Sequence, residues 1–189
     1  MRGKLLLFGD HAVVYGRPCL AAAIDRYVTA SLVKSIGRES AFVAAARRLF
    51  EEKYGRLEFG FKIKAFDSHY GLGSSAAVTV AVAQAMFKLK EIKITNKELF
   101  DFCYQVVKEV QGVGSGFDIA AAIYGGVVYF VTGGKKIEKL AVKELPLVVG
   151  YSGVKADTAT MIERARISQS FLQKSEIIVE QARVALEKQ

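Results

Sequence analysis

The spacing of apolar and polar residues predicts strands in the first third of the chain and helices further along. Alternating or continuous apolar runs predict strands at residues 4–8, 19–24, 27–33 and 59–66. Helical spacing predicts helices at residues 39–54 and 76–89, and another that begins at Thr95. Thr95 can cap this last helix with Glu98, three positions later, as its reciprocal partner. The pattern therefore predicts both kinds of element in one chain.

The second half of the chain is predicted to contain two further strands and a helix with an acidic residue in its first turn. A glycine-rich turn at residues 112–116 opens this helix, which carries Asp118. Strands are predicted at residues 127–131 and 147–151, with a turn at Gly133 and Gly134 between them.

The end of the chain is predicted to be an amphipathic helix from about Thr158 to Gln189, with no stop signal. Its apolar face is predicted to consist of Ile177, Ile178, Ala182 and Leu186. Because such a helix normally packs on chain further along, we expect the sequence to be cut short. One subunit of a split enzyme and a complete short protein are the alternatives.

Composition narrows the class of protein. The 189 residues can form one large domain, or one domain and part of another. No uncharged apolar run is long enough to cross a bilayer, and no secretory signal is visible. Cys19 and Cys103 lie in apolar segments, which predicts reduced core thiols in a cytoplasmic protein. Two histidines without a Cys/His cluster give no support to a zinc site.

The formal net charge of +8 has three interpretations. The basic residues are scattered and no basic run with interleaved aromatic residues is present, so nucleic acid is not predicted as a partner. An attraction for polyanionic small molecules fits the charge as well. A solvated basic surface is the simplest interpretation, so charge alone assigns no partner.

Residues 71–77 read Gly-Leu-Gly-Ser-Ser-Ala-Ala and join a predicted strand to an almost wholly apolar helix. Glycines before a helix let backbone N–H groups approach an anion, and the helix dipole favours negative charge there. The Lys of the Walker loop and the third Gly of the dinucleotide fingerprint are both missing. The segment predicts a phosphate-binding loop, and a glycine turn with serine caps is the alternative.

Three segments in order carry a resemblance to a known family. They are residues 3–18 (GKLLLFGDHAVVYGRP), the loop at 71–77 and residues 114–118 (GSGFD). Together they resemble the GHMP kinase superfamily, and the first segment is most similar to its mevalonate kinase branch. The resemblance covers nearly the whole chain. It implies an α+β fold like that of the ribosomal protein S5 domain 2 for residues 1–146, and the beginning of an incomplete carboxy-terminal lobe at 147–189.

The activity that this resemblance implies is ATP-dependent phosphorylation of the 5-hydroxyl of mevalonate, in isoprenoid precursor synthesis. A phosphomevalonate kinase is the nearest alternative, and His11 favours the mevalonate branch, because the other usually has an aromatic residue there. An inactive nucleotide-binding fragment is the third interpretation, since the glycine-rich loop of the family's carboxy-terminal lobe has no counterpart. A homodimer, or a separate chain that supplies this lobe, would be the implied partner.

The resemblance also implies the residues that act on ATP. Asp118 matches the catalytic aspartate that takes the hydroxyl proton, and Lys4 matches the lysine beside it. Ser75 and Glu109 correspond to the ligands of a Mg²⁺ ion. The ATP-binding loop is predicted to comprise Gly71, Leu72, Gly73, Ser74, Ser75, Ala76 and Ala77. The alternatives are a dipole-stabilised acid for Asp118, a solvated cation for Lys4 and a helix-surface carboxylate for Glu109.

The acceptor pocket is implied at both ends of the sequence. Asp10 and His11 correspond to the family's Glu-His pair, with Asp one methylene shorter than Glu. Thr158 matches a hydroxyl on the far wall, and a helix cap is its alternative. A mevalonate-like acid is the expected substrate, and neither nucleic acid nor a membrane is expected as a partner.

Overall fold

A computed structural model describes residues 1–153 and 167–188. Six strands lie in this part of the chain: β1 (Arg2–Phe8), β2 (Pro18–Tyr27), β3 (Thr29–Val33), β4 (Gly60–Lys64), β5 (Val127–Val131) and β6 (Lys136–Lys139). Five α-helices accompany them: α1 (Ala41–Tyr54), α2 (Ser74–Leu89), α3 (Asn96–Gln111), α4 (Phe117–Tyr124) and α5 (Gln169–Glu187). Short 3₁₀ turns occur at Ala12–Tyr15, Ser68–Tyr70 and Thr132–Gly134.

The larger sheet of the described chain has four antiparallel strands in the order β1-β2-β5-β6. In its register Lys4 lies opposite Ala23, and Cys19 lies opposite Phe130. Strands β3 and β4 form a separate antiparallel ribbon, with Thr29 opposite Lys64. Lys4 therefore lies, partly buried, on the edge strand β1 of this sheet, next to β2.

The sheet is covered on both faces because its side chains alternate between two cores. Cys19, Val128 and Phe130 face helices α1 to α4, where Phe50, Phe87, Phe100 and Ile119 are fully buried. Leu20, Ala22, Val127 and Tyr129 form the other core with Val179 and Leu186 of α5. The described chain is therefore a three-layer α/β/α arrangement around one sheet.

Several predictions from the sequence are confirmed. The fold is of the mixed α+β class, and the strands at the start of the chain and helices α1 to α4 all form. Thr95 and Glu98 make the predicted capping box: each side chain accepts a hydrogen bond from the other residue's backbone N–H. In the described part of the chain, no helix is both long and apolar enough to cross a membrane.

One predicted strand does not form, one strand was missed, and part of the predicted face of α5 is wrong. Residues 147–151 form no strand: no described strand pairs with them, and the Val148 side chain is fully exposed. Strand β6 was missed, because its Lys-Ile-Glu-Lys sequence is mostly charged and is ordered by pairing with β5. The predicted face of α5 is right for Ala182 and Leu186, which pack with Val179 on the sheet, and wrong for Ile177 and Ile178, which are about half exposed. The predicted helix start at Thr158 lies outside the described residues, and the lobe boundary at 147 stays a prediction.

Candidate functional site

The loop before α2 has the backbone conformation of an anion-binding turn. Gly71 and Gly73 both have positive φ values, 68° and 77°, which glycine adopts at little cost. Helix α2 begins directly afterwards, at Ser74, and the first N–H groups of a helix have no partner within it. Ser74 is buried, whereas the Ser75 side chain is exposed in the first turn. The first turn of α2 can therefore present N–H groups and the Ser75 hydroxyl to a phosphate.

Lys4 on β1 is attached to this loop at three points. Its backbone N–H donates to the Leu72 carbonyl at 2.9 Å, and its Nζ donates to the Gly71 carbonyl at 3.2 Å. Its aliphatic stem passes Gly73 so closely that a β-carbon there would lie 2.8 Å from Lys4 Cγ. The phosphate loop and the Lys4 ammonium are therefore parts of one rigid arrangement.

Asp118 lies in the first turn of α4, which follows the glycine-rich loop. The helix is entered through Gly116 in the left-handed conformation, and the Asp118 carboxylate accepts the Ile119 N–H at 3.0 Å. Two contacts hold the loop that leads to it. The Tyr104 hydroxyl donates to the Gly114 carbonyl at 3.1 Å, and the Gly133 N–H donates to the Ser115 carbonyl at 3.0 Å. Asp118 is half-buried, and the loop that leads to it is fixed by these two hydrogen bonds.

Lys4 and Asp118 are brought together around a buried thiol. The pKa of Cys19 is raised, mainly by burial and then by the charge of Asp118, while the charge of Lys4 opposes this. The ion pairs of the described residues include none between Lys4 and Asp118. Instead, the Lys4 ammonium lies 5.0 Å from the centre of the Phe117 ring.

Asp10 and His11 lie in the turn that connects β1 to β2. The His11 N–H donates to the Asp10 carboxylate at 2.9 Å, and His11 has an unusual φ of 58°. The preceding Gly9 packs against Cys19 so tightly that a β-carbon there would come within 2.8 Å of it. The turn that contains Asp10 and His11 is therefore anchored at its start, through Gly9, against the buried Cys19.

Two other predicted site residues are not brought into this group. Glu109, in the last turn of α3, forms an ion pair with Arg48 of α1, so its proposed metal contact stays a prediction. Thr158 lies outside the described residues. His69 is exposed in the 3₁₀ turn before the phosphate loop, where its ring nitrogen contacts Asp67 at 2.5 Å.

A cleft of about 970 Å³ opens beside the phosphate loop. Lys4, Gly71 and Leu72 form one side of it, and Phe66, Tyr70 and Tyr151 add aromatic surface. The rings of Tyr70 and Tyr151 meet edge to face at 5.1 Å. The sequence pattern did not predict this aromatic side of the cleft, because residues 147–151 were assigned to a strand. The position of Tyr70 directly before Gly71 was the one available signal.

Tyr104 and Phe117 were also missed as neighbours of the candidate site. Tyr104 belongs to the regular apolar and polar pattern of α3, and nothing in that pattern marks it as a support for residues 112–116. Phe117 directly precedes Asp118, which could have drawn attention to it. Its contact with Lys4, 113 positions earlier in the chain, depends on tertiary structure.

Comparison with known proteins gives one family. Residues 40–126 match the model described as the GHMP kinases N terminal domain. The mevalonate kinase of Pyrococcus furiosus is 31% identical over 213 residues, which cover 93% of this chain and 63% of that protein. The chain thus spans about 60% of the length of the curated relatives it matches.

Solved structures agree on the fold. The phosphomevalonate kinase of Streptococcus pneumoniae matches with a TM-score of 0.79 at 19% identity, over 99% of this chain and 71% of that one. The L. major mevalonate kinase, solved in complex with R-mevalonate, matches with a TM-score of 0.75 at 22% identity, over 99% of this chain and 68% of that one. Identities this low establish the fold alone.

Proposed function

The chain belongs to the GHMP kinase family, and from this premise we propose that it carries the nucleotide-binding and catalytic part of an ATP-dependent kinase whose acceptor is mevalonate. The observation that carries the proposal is the attachment of Lys4 to Gly71 and Leu72, with its ammonium 5.0 Å from the ring of Phe117, the residue directly before Asp118. A phosphate-binding loop, a cation and a carboxylate in one place are what phosphoryl transfer needs.

Each of these groups has a role that its position supports. The N–H groups at the start of α2 would bind the polyphosphate of ATP, helped by the helix dipole. Asp118 would accept the proton of the attacking hydroxyl as its oxygen bonds to the γ-phosphorus. The Lys4 ammonium would stabilise the negative charge that develops on the oxygens around the transferred group.

Mg²⁺ fits the groups that the described residues offer. No cluster of three or more His, Cys, Asp or Glu side chains that could hold a metal is present among them. Mg²⁺ bound with nucleotide does not need one, because it keeps several waters and takes its other ligands from phosphates and one or two side chains. The exposed Ser75 hydroxyl would be one such ligand, and the ion would neutralise phosphate charge. Glu109 could join only by leaving Arg48.

The cleft beside Lys4 and Gly71 would take the nucleoside half of ATP. Its aromatic residues, Phe66, Tyr70 and Tyr151, offer flat apolar surface next to the phosphate loop. A base stacks favourably on such side chains, whereas the phosphates need the N–H groups of α2. The two parts of ATP would therefore occupy adjoining surfaces of different chemistry.

The acceptor is proposed from the turn at Asp10 and His11 and from the names of the relatives. The curated relatives are mevalonate kinases at 30–32% identity. A phosphomevalonate kinase is the second candidate, because one structure with the same fold has that name. His11 favours mevalonate, because an imidazole can hydrogen-bond a carboxylate or a hydroxyl. The phosphate group of phosphomevalonate would need more cationic groups than this turn contains.

The remaining 40% or so of the relatives' length would form the other wall of the pocket. Helix α5 supports this, because its outward face exposes Phe171, Ile177, Ile178 and Val184 while its inner face is packed on the sheet. An outer apolar face of this kind is normally covered. We propose that a carboxy-terminal lobe, from the same or a separate chain, covers it; a homodimer is the alternative. A cytoplasmic location remains part of the proposal.

An acceptor competition tests the function. The complete gene product would be supplied with Mg·ATP and equal concentrations of mevalonate and phosphomevalonate, and the two products would be separated and counted. We expect a higher kcat/KM for mevalonate. A clear preference for phosphomevalonate would move the protein to the second candidate, and ATP-dependent transfer to neither would contradict the proposed function.

A further inference from the structure

Two groups of α4 could attract the Lys4 ammonium, the Phe117 ring and the Asp118 carboxylate, and only the ring is in contact with it. Its ammonium lies 5.0 Å from the centroid of Phe117, within the range of a cation–π contact. The Asp118 carboxylate belongs to the next residue along the chain and is bonded to the Ile119 N–H. Among the described residues, Lys4 and Asp118 do not form an ion pair, although both act on the pKa of Cys19.

We propose that Phe117 is a positioning residue for Lys4: its ring holds the ammonium at the mouth of the phosphate loop and apart from the Asp118 carboxylate. This inference rests on the proposed function. A lysine has four rotatable side-chain bonds, so a defined ammonium position needs contacts along the whole chain. Gly73 confines the stem at Cγ, the Gly71 carbonyl accepts from Nζ at 3.2 Å, and the ring of Phe117 lies near the ammonium from α4.

The choice of a ring has a chemical consequence. A carboxylate in the same place would bind the ammonium more strongly and would itself be occupied by the bond. A ring attracts the cation weakly and accepts no conventional hydrogen bond, so the ammonium protons that are not donated to the Gly71 carbonyl stay available for other oxygen acceptors. Lys4 can therefore keep its place and still donate to an incoming phosphate, and Asp118 keeps an oxygen available for a proton.

A spectroscopic experiment tests the contact without any activity. Lysine side chains would be labelled with ¹³C, and the Lys4 ε-methylene resonance would be assigned by its loss in Lys4→Met. The ring current of Phe117 should displace this resonance from those of other lysines. We expect Phe117→Leu to remove most of the displacement and Phe117→Tyr, which retains a ring, to preserve it. An unchanged Lys4 resonance in Phe117→Leu would overturn the proposal.

A binding experiment tests the consequence, with Mg²⁺ and inorganic tripolyphosphate as the probe in calorimetry. An exposed cation–π contact changes affinities by about two- to fivefold, so Phe117→Leu should weaken binding by that factor and Phe117→Tyr should not. In the Lys4→Met background, Phe117→Leu should cause no further loss. An equal loss in both backgrounds, or unchanged or tighter binding in Phe117→Leu alone, would overturn the role of Phe117.

Folding and the proposed function are separated by the same set of variants. Phe117 is only half-buried, and Phe117→Met provides a second ring-free side chain if Phe117→Leu does not fold. A wild-type protein that fails to bind tripolyphosphate would count against the phosphate loop itself and so against the proposed function. A wild-type protein that binds it, with no dependence on the ring at position 117, would contradict only the present inference.

Discussion

Gly73 and Lys4 are in contact so close that a β-carbon on Gly73 would lie 2.8 Å from Lys4 Cγ. Real β-carbons do not approach another carbon so closely, so any larger residue at position 73 must push the lysine stem aside. Gly71, two residues earlier, also has a positive φ, yet a β-carbon there would meet nothing within 4 Å. A larger residue would be strained by the positive φ at both positions, but only at position 73 would it also collide with Lys4.

Gly73→Ala is expected to weaken Mg·ATP binding through this contact. Displacement of Lys4 also disturbs the first turn of α2. We expect the dissociation constant of Mg·ATP to rise by about tenfold, which is the effect of losing one charge-assisted hydrogen bond. Gly71→Ala is the matched control: it carries the left-handed strain of about 1–2 kcal/mol in stability without the clash. Calorimetry with Mg·ATP measures both. Equal losses of affinity in the two variants would show that the Lys4 contact is unimportant.

Replacement of Arg47 is expected to reduce stability strongly. Its guanidinium, about 10% exposed, bonds the Glu39 carboxylate and the Phe59 carbonyl and so joins α1 to the segment before β4. Arg47→Met would leave the buried Glu39 charge without its partner, and loss of such a partner costs about 3 kcal/mol. Urea unfolding measures this free energy.

Arg48→Met is the control for that measurement. Arg48 is the next residue of α1 and also forms two ion pairs, with Glu52 and Glu109, but all three side chains are well exposed. Exposed pairs contribute little because water and salt screen them. We therefore expect Arg48→Met to leave the urea midpoint almost unchanged. A midpoint loss as large as that of Arg47→Met would contradict the distinction between the two arginines.

The two buried cysteines predict a loss of stability at alkaline pH. Burial raises the pKa of both Cys19 and Cys103, so the folded state keeps their protons when the unfolded state releases them. The unfolded chain then binds fewer protons, and the free energy of unfolding falls as pH rises through the ordinary thiol pKa of about 8.5. At pH 9.5 the two thiols together should lower it by about 2–3 kcal/mol.

Urea unfolding at pH 7.5 and 9.5 measures this loss. Cys19→Ala should lose about half of the pH dependence, even though its stability at pH 7.5 is lower. A companion measurement is thiol modification at pH 8, which should be negligible until urea is added. Rapid modification of the native protein, or a free energy of unfolding that does not depend on pH, would show that the thiols are accessible.

Local sequence patterns predicted the parts of the fold in which local and tertiary preferences agree. Thr95 and Glu98 form their capping box because the interaction closes within one helical turn. Residues 147–151 have the apolar composition of a strand, but a strand needs a neighbour, and the described chain offers them none. Half of the predicted α5 face, Ile177 and Ile178, was wrong for a related reason: the helix has apolar residues on two sides, and only contact with the sheet decides which side is inside.

The candidate site was predictable only as far as its motifs are continuous in sequence. The loop at 71–77 could be predicted because glycines and a helix start mark it, whereas Asp118 was assigned through the family resemblance of residues 114–118. The contacts that connect them could not, since Lys4 reaches Gly71 across 67 residues and Tyr151 reaches the His69 carbonyl across 82. Glu109 was assigned as a metal ligand through the resemblance, and its ion pair with Arg48 of α1, 61 positions earlier, depends on tertiary structure and could not be predicted from the sequence.

The proposed kinase chemistry is tested most directly by the rate of phosphoryl transfer from Mg·ATP to mevalonate in Asp118→Asn, measured on the complete gene product. The amide keeps the size of the carboxylate but cannot take the hydroxyl proton, so we expect kcat to fall by about 10² to 10⁴-fold with little change in the KM for ATP. Asp101→Asn is the matched control, since Asp101 is an exposed partner of Lys97 on α3 and should leave kcat unchanged. Full turnover in Asp118→Asn, or no ATP-dependent transfer by the wild-type protein, would contradict the proposal.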